Sequence, residues 1–116
     1  MSTATFRTSP VHCELEQLAP TWTTVAGMPA ASRLGADEMP LLETVALCDL
    51  SFLPRLGLNG PGVTGWLQAQ DIEVPAALYE LATLGDGSSI VRIGTNETII
   101  EGVPGAGTID KLTAAL

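Results

Sequence analysis

The chain has 116 residues, 46% hydrophobic and 16% charged, an ordinary globular composition with room for one modest core. Thirteen acidic residues against five basic ones give a net charge of −8, and Arg7, Arg33, Arg55, Arg92 and Lys111 form no linear patch, which argues against nucleic-acid and anionic-membrane binding. No apolar run approaches the ~20 residues of a membrane-spanning helix, and the N-terminus lacks the apolar stretch of a secretory leader. The expectation is a cytoplasmic protein with Cys13 and Cys48 reduced.

Residues 1–10, rich in Ser and Thr and ending at Pro10, read as a flexible arm ahead of a single domain over 11–116. Over 11–18, Val11, Cys13 and Leu15 alternate with His12, Glu14 and Glu16, a period of two that favours a strand, while the Leu15–Leu18 spacing leaves a helix open. Pro20, Gly27, Pro29, Gly35 and Pro40 punctuate two short extended pieces, 21–26 and 30–34, and a short helix is expected at 40–46. Leu50, Phe52, Leu56 and Leu58 then fall on one face of a strand over 50–59, with Pro54 suited to an edge or a bulge. Gly60-Pro61 turns into a helix whose Val63, Trp66, Leu67 and Gln70 share a face, Pro61 taking the first helical position.

Alternation of Tyr79, Leu81 and Thr83 predicts a strand at 79–84, and Asp86-Gly87 a hairpin turn, because both residues tolerate positive φ. Strands at 90–93 and 98–101 follow, joined by 94–97; 102–107 is a loop, and Thr108 is placed to cap a last helix with Ile109, Leu112 and Leu116 inward. From 47 onward the order is β-α-β-β-β-α, an α+β pattern: an antiparallel sheet with helices packed on one face.

Few residues carry chemistry. Gly60-Pro61-Gly62-Val63-Thr64-Gly65 spells G-x-G-x-x-G between a strand and a helix, with Glu80 twenty residues on. Proline removes a backbone donor from the loop that would cradle pyrophosphate, and hairpins rather than a parallel crossover follow, so the stretch reads as a glycine corner. His12, Cys13 and Cys48 show no paired ligand spacing for zinc, and Cys48 reads as a small buried apolar residue. Arg92 interrupts an apolar strand: it either snorkels from an edge or points into a pocket and holds a carboxylate.

Cys48-Asp49-Leu50-Ser51, the stretch Arg55-Leu56-Gly57-Leu58-Asn59-Gly60, and Pro61-Gly62 with Trp66-Leu67 together resemble the glycine-cleavage T-protein (folate-binding aminomethyltransferase) family, including the gamma subunit of heterotetrameric sarcosine oxidase. Asp86-Gly87, Ile90-Val91-Arg92-Ile93-Gly94, Glu97 and Ile100-Glu101 follow the same family's downstream pattern, and Ala26-Gly27-Met28-Pro29 its upstream approach. The resemblance covers about 20–116, most fully 47–101. It implies a ferredoxin-like β-α-β-β-(β)-α half of the aminomethyltransferase fold, and chemistry linked to tetrahydrofolate. The family's aspartate at the folate falls at Val91 or Arg92, neither of which can accept a proton, so the resemblance points to the non-catalytic gamma-subunit branch. What it implies is a subunit or assembly module that forms a homo-oligomer or joins a larger oxidase or aminomethyltransferase subunit. The alternative is a folate-binding enzyme component with Tyr79, Asp86 and Arg92 lining the folate pocket. The family continues with another strand and a second half-domain; without that strand a sheet edge or an apolar helix face is left uncovered, which predicts association by dimerisation or with a larger subunit.

Overall fold

The computed structural model describes residues 7–35 and 37–116, which form two compact units, one up to Phe52 and one from Leu53 onward. The first six residues of the expected arm lie outside the described residues. Its later part is tied down: Arg7 Nη2 donates to the Ser51 carbonyl at 2.9 Å, and Ser9 is buried.

In the first unit, His12–Glu16 is a helix, α1, and not the strand that alternation favoured. Local bonds decide it: the N–H groups of Glu14 and Leu15 both donate to the Val11 carbonyl, and Leu15 is the helix's one buried side chain. Strands β1 (Pro20–Val25) and β2 (Met28–Leu34) form an antiparallel hairpin, as the two extended pieces anticipated. Its two-residue turn places Ala26 at φ 50° and Gly27 at φ 72°, the paired left-handed geometry that matches strand twist. Met28 and Ala30 are buried. Met39–Glu43 is a single 3-10 turn where a helix over 40–46 was expected. Beyond it the backbone carries no regular element as far as Pro54, so Leu50 and Phe52 are not part of a strand.

The second unit is the α+β pattern. Strands β3 (Arg55–Asn59), β4 (Leu81–Thr83), β5 (Ser89–Gly94) and β6 (Glu97–Glu101) form one antiparallel sheet in the order β3-β6-β5-β4. Helices α2 (Val63–Ala69) and α3 (Thr108–Ala115) contribute Leu67 and Leu112 to a core completed by Ile72, Ile90 and Ile100. Cross-strand register explains the face: Leu56 opposes Ile100, which opposes Ile90, which opposes Ala82, and all pack with the helices. On β4 the inward residue is therefore Ala82, followed by Leu84 just beyond the strand, while Tyr79, Leu81 and Thr83 are exposed. Tyr79 has left the strand altogether, at φ 62°.

Two helix ends differ from their sequence reading. Pro61 sits in the turn before α2, whose cap is Gly62, and Val63 N–H donates to the Gly60 carbonyl. Thr108 is the first residue of α3 rather than its cap, and the capping carboxylate comes from far along the chain: Asp86 Oδ2 accepts the Thr108 N–H at 3.0 Å. Leu116, expected inward, is 73% exposed because α3 ends one residue before it.

Candidate functional site

Tyr79, Asp86 and Arg92, the three residues expected to line a folate pocket, are all in the second unit but do not converge. Arg92 lies on β5, an interior strand, so it does not snorkel from a sheet edge. It also holds backbone rather than a carboxylate: Nη1 donates to the Ala76 carbonyl at 2.9 Å, Nη2 to Thr95 at 2.8 Å and Nε to Gly94 at 3.3 Å. A planar guanidinium satisfies three diverging carbonyls where an ammonium could not, and it thereby joins the connector after α2 to the β5–β6 turn. The register slips between Arg92 and Gly94, leaving Ile93 as the extra residue of a bulge that brings these carbonyls within reach.

Tyr79 is linked to the same strand through its backbone, its N–H donating to the Arg92 carbonyl at 2.6 Å, while its side chain is 77% exposed. Asp86 stands at the other end of β5, in the β4–β5 turn, where Gly87 takes φ 88°. Its carboxylate accepts N–H groups from Thr108 and Ser88, and these bonds, Thr108 foremost, hold its pKa well below the usual carboxylate range. The cavity beside the connector, about 370 Å³, is lined by residues that include Glu73, Ala76, Glu80 and Ala82, and by none of the three.

The remaining sequence candidates lie apart from these three. Gly60 to Gly65 is a corner: Gly60 takes φ 139° and donates its N–H to the Asn96 carbonyl, and α2 is only a seven-residue helix. His12 packs against Trp22, ring centroids 4.6 Å apart, and approaches Glu16 at 3.4 Å. Cys13 and Cys48 are free, and Cys48, read from sequence as buried, is exposed because it falls in irregular chain ahead of the sheet. No group of three or more His, Cys, Asp or Glu comes together among the described residues.

What the sequence reading missed is a surface. From Met39 to Leu50 the first unit exposes six large apolar side chains: Met39, Leu41, Leu42, Val45, Leu47 and Leu50, with Val45 78% and Leu47 96% accessible. Asp37, Glu38, Glu43 and Asp49 are interleaved with them and no Lys or Arg falls within 37–50. The stretch borders a cavity of about 510 Å³ lined by residues that include Leu15, Leu18, Leu34, Leu47 and Cys48. Its C-terminal end is fixed by Asp49, whose Oδ1 accepts from Ser51 N–H at 3.0 Å and Ser51 Oγ at 2.6 Å. Partial burial opposes ionisation of Asp49, but the bonds from Ser51 and Ser9 outweigh it and lower its pKa. Leu41, Leu42 and Val45 carry the spacing of a helix face and Leu50 was expected in a strand, but only a 3-10 turn forms at Met39–Glu43, so these side chains are left uncovered.

Comparison of the chain with family models, with curated proteins and with solved structures finds no match.

Proposed function

We propose that the protein is a non-catalytic subunit or assembly module, related to the sarcosine oxidase gamma subunit and the T-protein, that docks onto a larger oxidase or aminomethyltransferase subunit. The observation that carries this reading is the exposed acidic-apolar stretch from Met39 to Leu50. A run of accessible Leu and Val side chains costs solubility unless a partner covers it, and surfaces of this kind mark interaction sites. Its chemistry specifies the partner's: an apolar groove rimmed by Lys or Arg. The order β3-α2-β4-β5-β6-α3, with helices over one sheet face, supports the ferredoxin-like half-fold that the resemblance implies. The use of every Arg92 nitrogen on backbone carbonyls supports a structural role for Arg92, one of the two positions, with Val91, at which the resemblance places the family's acid.

Co-expression with sarcosine oxidase large subunits tests the proposal. A complex that survives size exclusion, and that is lost when Leu42, Val45 and Leu47 are replaced together by Ser, is the expected result. Separate elution of the wild-type chain and the large subunits rejects it.

The folate-binding alternative rests on the Tyr79–Arg92 backbone link, which joins two of its three residues. The fit is poor: the guanidinium donors are already engaged and Asp86 is at the far end of β5. Calorimetric titration with tetrahydrofolate, wild type against Arg92→Ala, tests it; absence of heat in both removes the alternative.

A further inference from the structure

We infer that the free edge of β3 is a pairing surface for a second copy of this chain, joined antiparallel about a two-fold axis at Gly57. The inference deepens the assembly reading by naming a partner, but it stands on the sheet rather than on the apolar stretch of the first unit. Hydrogen bonding fixes which backbone groups are free. Gly102 N–H donates to the Pro54 carbonyl and Gly60 N–H to the Asn96 carbonyl, so along β3 the even-numbered residues face β6. Arg55, Gly57 and Asn59 therefore turn both N–H and C=O to the outer edge, and all three are exposed.

The two edges of this sheet are not equivalent. On the β4 side only Leu81 and Thr83 face outward, and the chain leaves the strand at Tyr79 in a left-handed conformation, so that edge is short and blunted. The β3 edge has three outward residues, with no proline, lysine or bulge within the strand.

The β3 edge is also self-complementary. With Gly57 on the axis, its N–H and C=O meet those of the second copy's Gly57, and a Cβ there would meet nothing within 4 Å. Arg55 then falls opposite the second copy's Asn59, and Leu56 opposite the second copy's Leu58. No like charges are juxtaposed directly. Arg55, already paired with Glu101, gains Asn59 and, one strand further, Glu97 of the second copy on its other side. On the helix side of the same edge a cavity of about 320 Å³ is lined by Leu58, Val63, Trp66 and Leu116 among others, next to where Leu56 of the second copy would lie. One pairing thus satisfies the outward backbone groups and covers part of the apolar surface beside them, the isologous arrangement expected of a two-fold dimer.

Sedimentation equilibrium of the full chain tests this, with circular dichroism to confirm folding of each variant. The wild type is expected at twice the 12.0 kDa chain mass. Gly57→Pro removes the donor at the axis without touching the β6 ladder, and Gly57→Lys sets like charges opposite each other; each should weaken the dimer by about tenfold or more. Thr83→Lys, on the opposite edge, should leave it unchanged. Amide exchange needs no variant: Arg55, Gly57 and Asn59 should exchange more slowly as wild-type concentration rises. A wild-type monomer at roughly 0.1 mM, well above the micromolar range of ordinary association, overturns the inference, as does a dimer indifferent to Gly57 or exchange at these amides that ignores concentration. A monomer that still binds the oxidase subunits sinks this inference alone, whereas a β3 dimer that binds none sinks only the heteromeric reading.

Discussion

Arg92 and Asp86 look in the sequence like ligands for a bound molecule, and in the fold they hold the protein to itself. Replacing Arg92 by Ala frees three carbonyls; partly solvated, they recover some bonding from water, so the expected loss is about 1–3 kcal/mol in denaturant unfolding. Arg92→Lys should recover little of this, because a single ammonium cannot span the Ala76, Gly94 and Thr95 carbonyls together. A Lys variant as stable as wild type would mean that charge, and not the fork, matters there. Asp86 leads to a pH prediction. Its pKa is lowered in the folded chain by its bonds from Thr108 and Ser88, so its contribution is fully present above the unfolded value of ~3.9 and is lost as pH falls toward the folded value. Asp86→Asn should lower the thermal midpoint at neutral pH, with the gap from wild type constant down to about pH 4 and closing in more acid solution. A gap that persists unchanged in acid would show that the carboxylate's charge plays no part. Neither role was readable from the chain, since Asp86 and Thr108 lie 22 residues apart and their meeting depends on the loop after β6.

At the level of elements, sequence patterns worked where one face is buried and failed where none is. The strands β5 and β6, the Asp86-Gly87 turn and the apolar face of α2 were all legible, because Ile90, Ile100 and Leu67 impose their periods on the core. Alternation over 11–18 misled because only Leu15 is buried there, so a period of two had no sheet face to serve. Pro54 has a function that its strand-breaking reputation did not suggest. Gly102 N–H bonds to its carbonyl at 2.8 Å, and a Cβ on Gly102 would come within 2.8 Å of Pro54 Cγ and 3.3 Å of Ile109 Cδ1. Three elements, β3, β6 and α3, therefore close on a residue with no side chain. Gly102→Ala should cost about 1–3 kcal/mol as overpacking at this junction, measured by urea unfolding. Gly57→Ala, in open space on the same sheet, should cost much less. Equal losses at the two sites would show that backbone entropy, and not the Pro54 contact, governs Gly102.

For the whole molecule, the question is how the two association surfaces proposed for this acidic chain would differ. The α+β class and the element order of the second unit were legible from residue 47 onward. The exposed stretch from Met39 to Leu50 and the free β3 edge were not, because exposure depends on which residues a fold leaves uncovered, and Leu47 and Gly57 have no local pattern that announces it. The two surfaces differ in their physics. The stretch from Met39 to Leu50 mixes apolar side chains with acidic ones and no basic ones, so the proposed docking there would draw on long-range attraction to a basic rim. The proposed pairing at the β3 edge would rely on backbone hydrogen bonds and Leu contacts at close range, with Arg55 already neutralised by Glu101. Salt should separate them. The screening length falls from ~10 Å at 0.1 M to ~3 Å at 1 M, which weakens attraction between exposed charges and leaves short contacts nearly intact. Raising sodium chloride over this range should slow association with the oxidase large subunits by about tenfold or more, in surface plasmon resonance on-rates. Over the same range the sedimentation equilibrium of the homodimer should shift by less than about threefold. If the homodimer proves as salt-sensitive as the heteromeric complex, the acidic stretch and not the β3 edge is what brings two copies together.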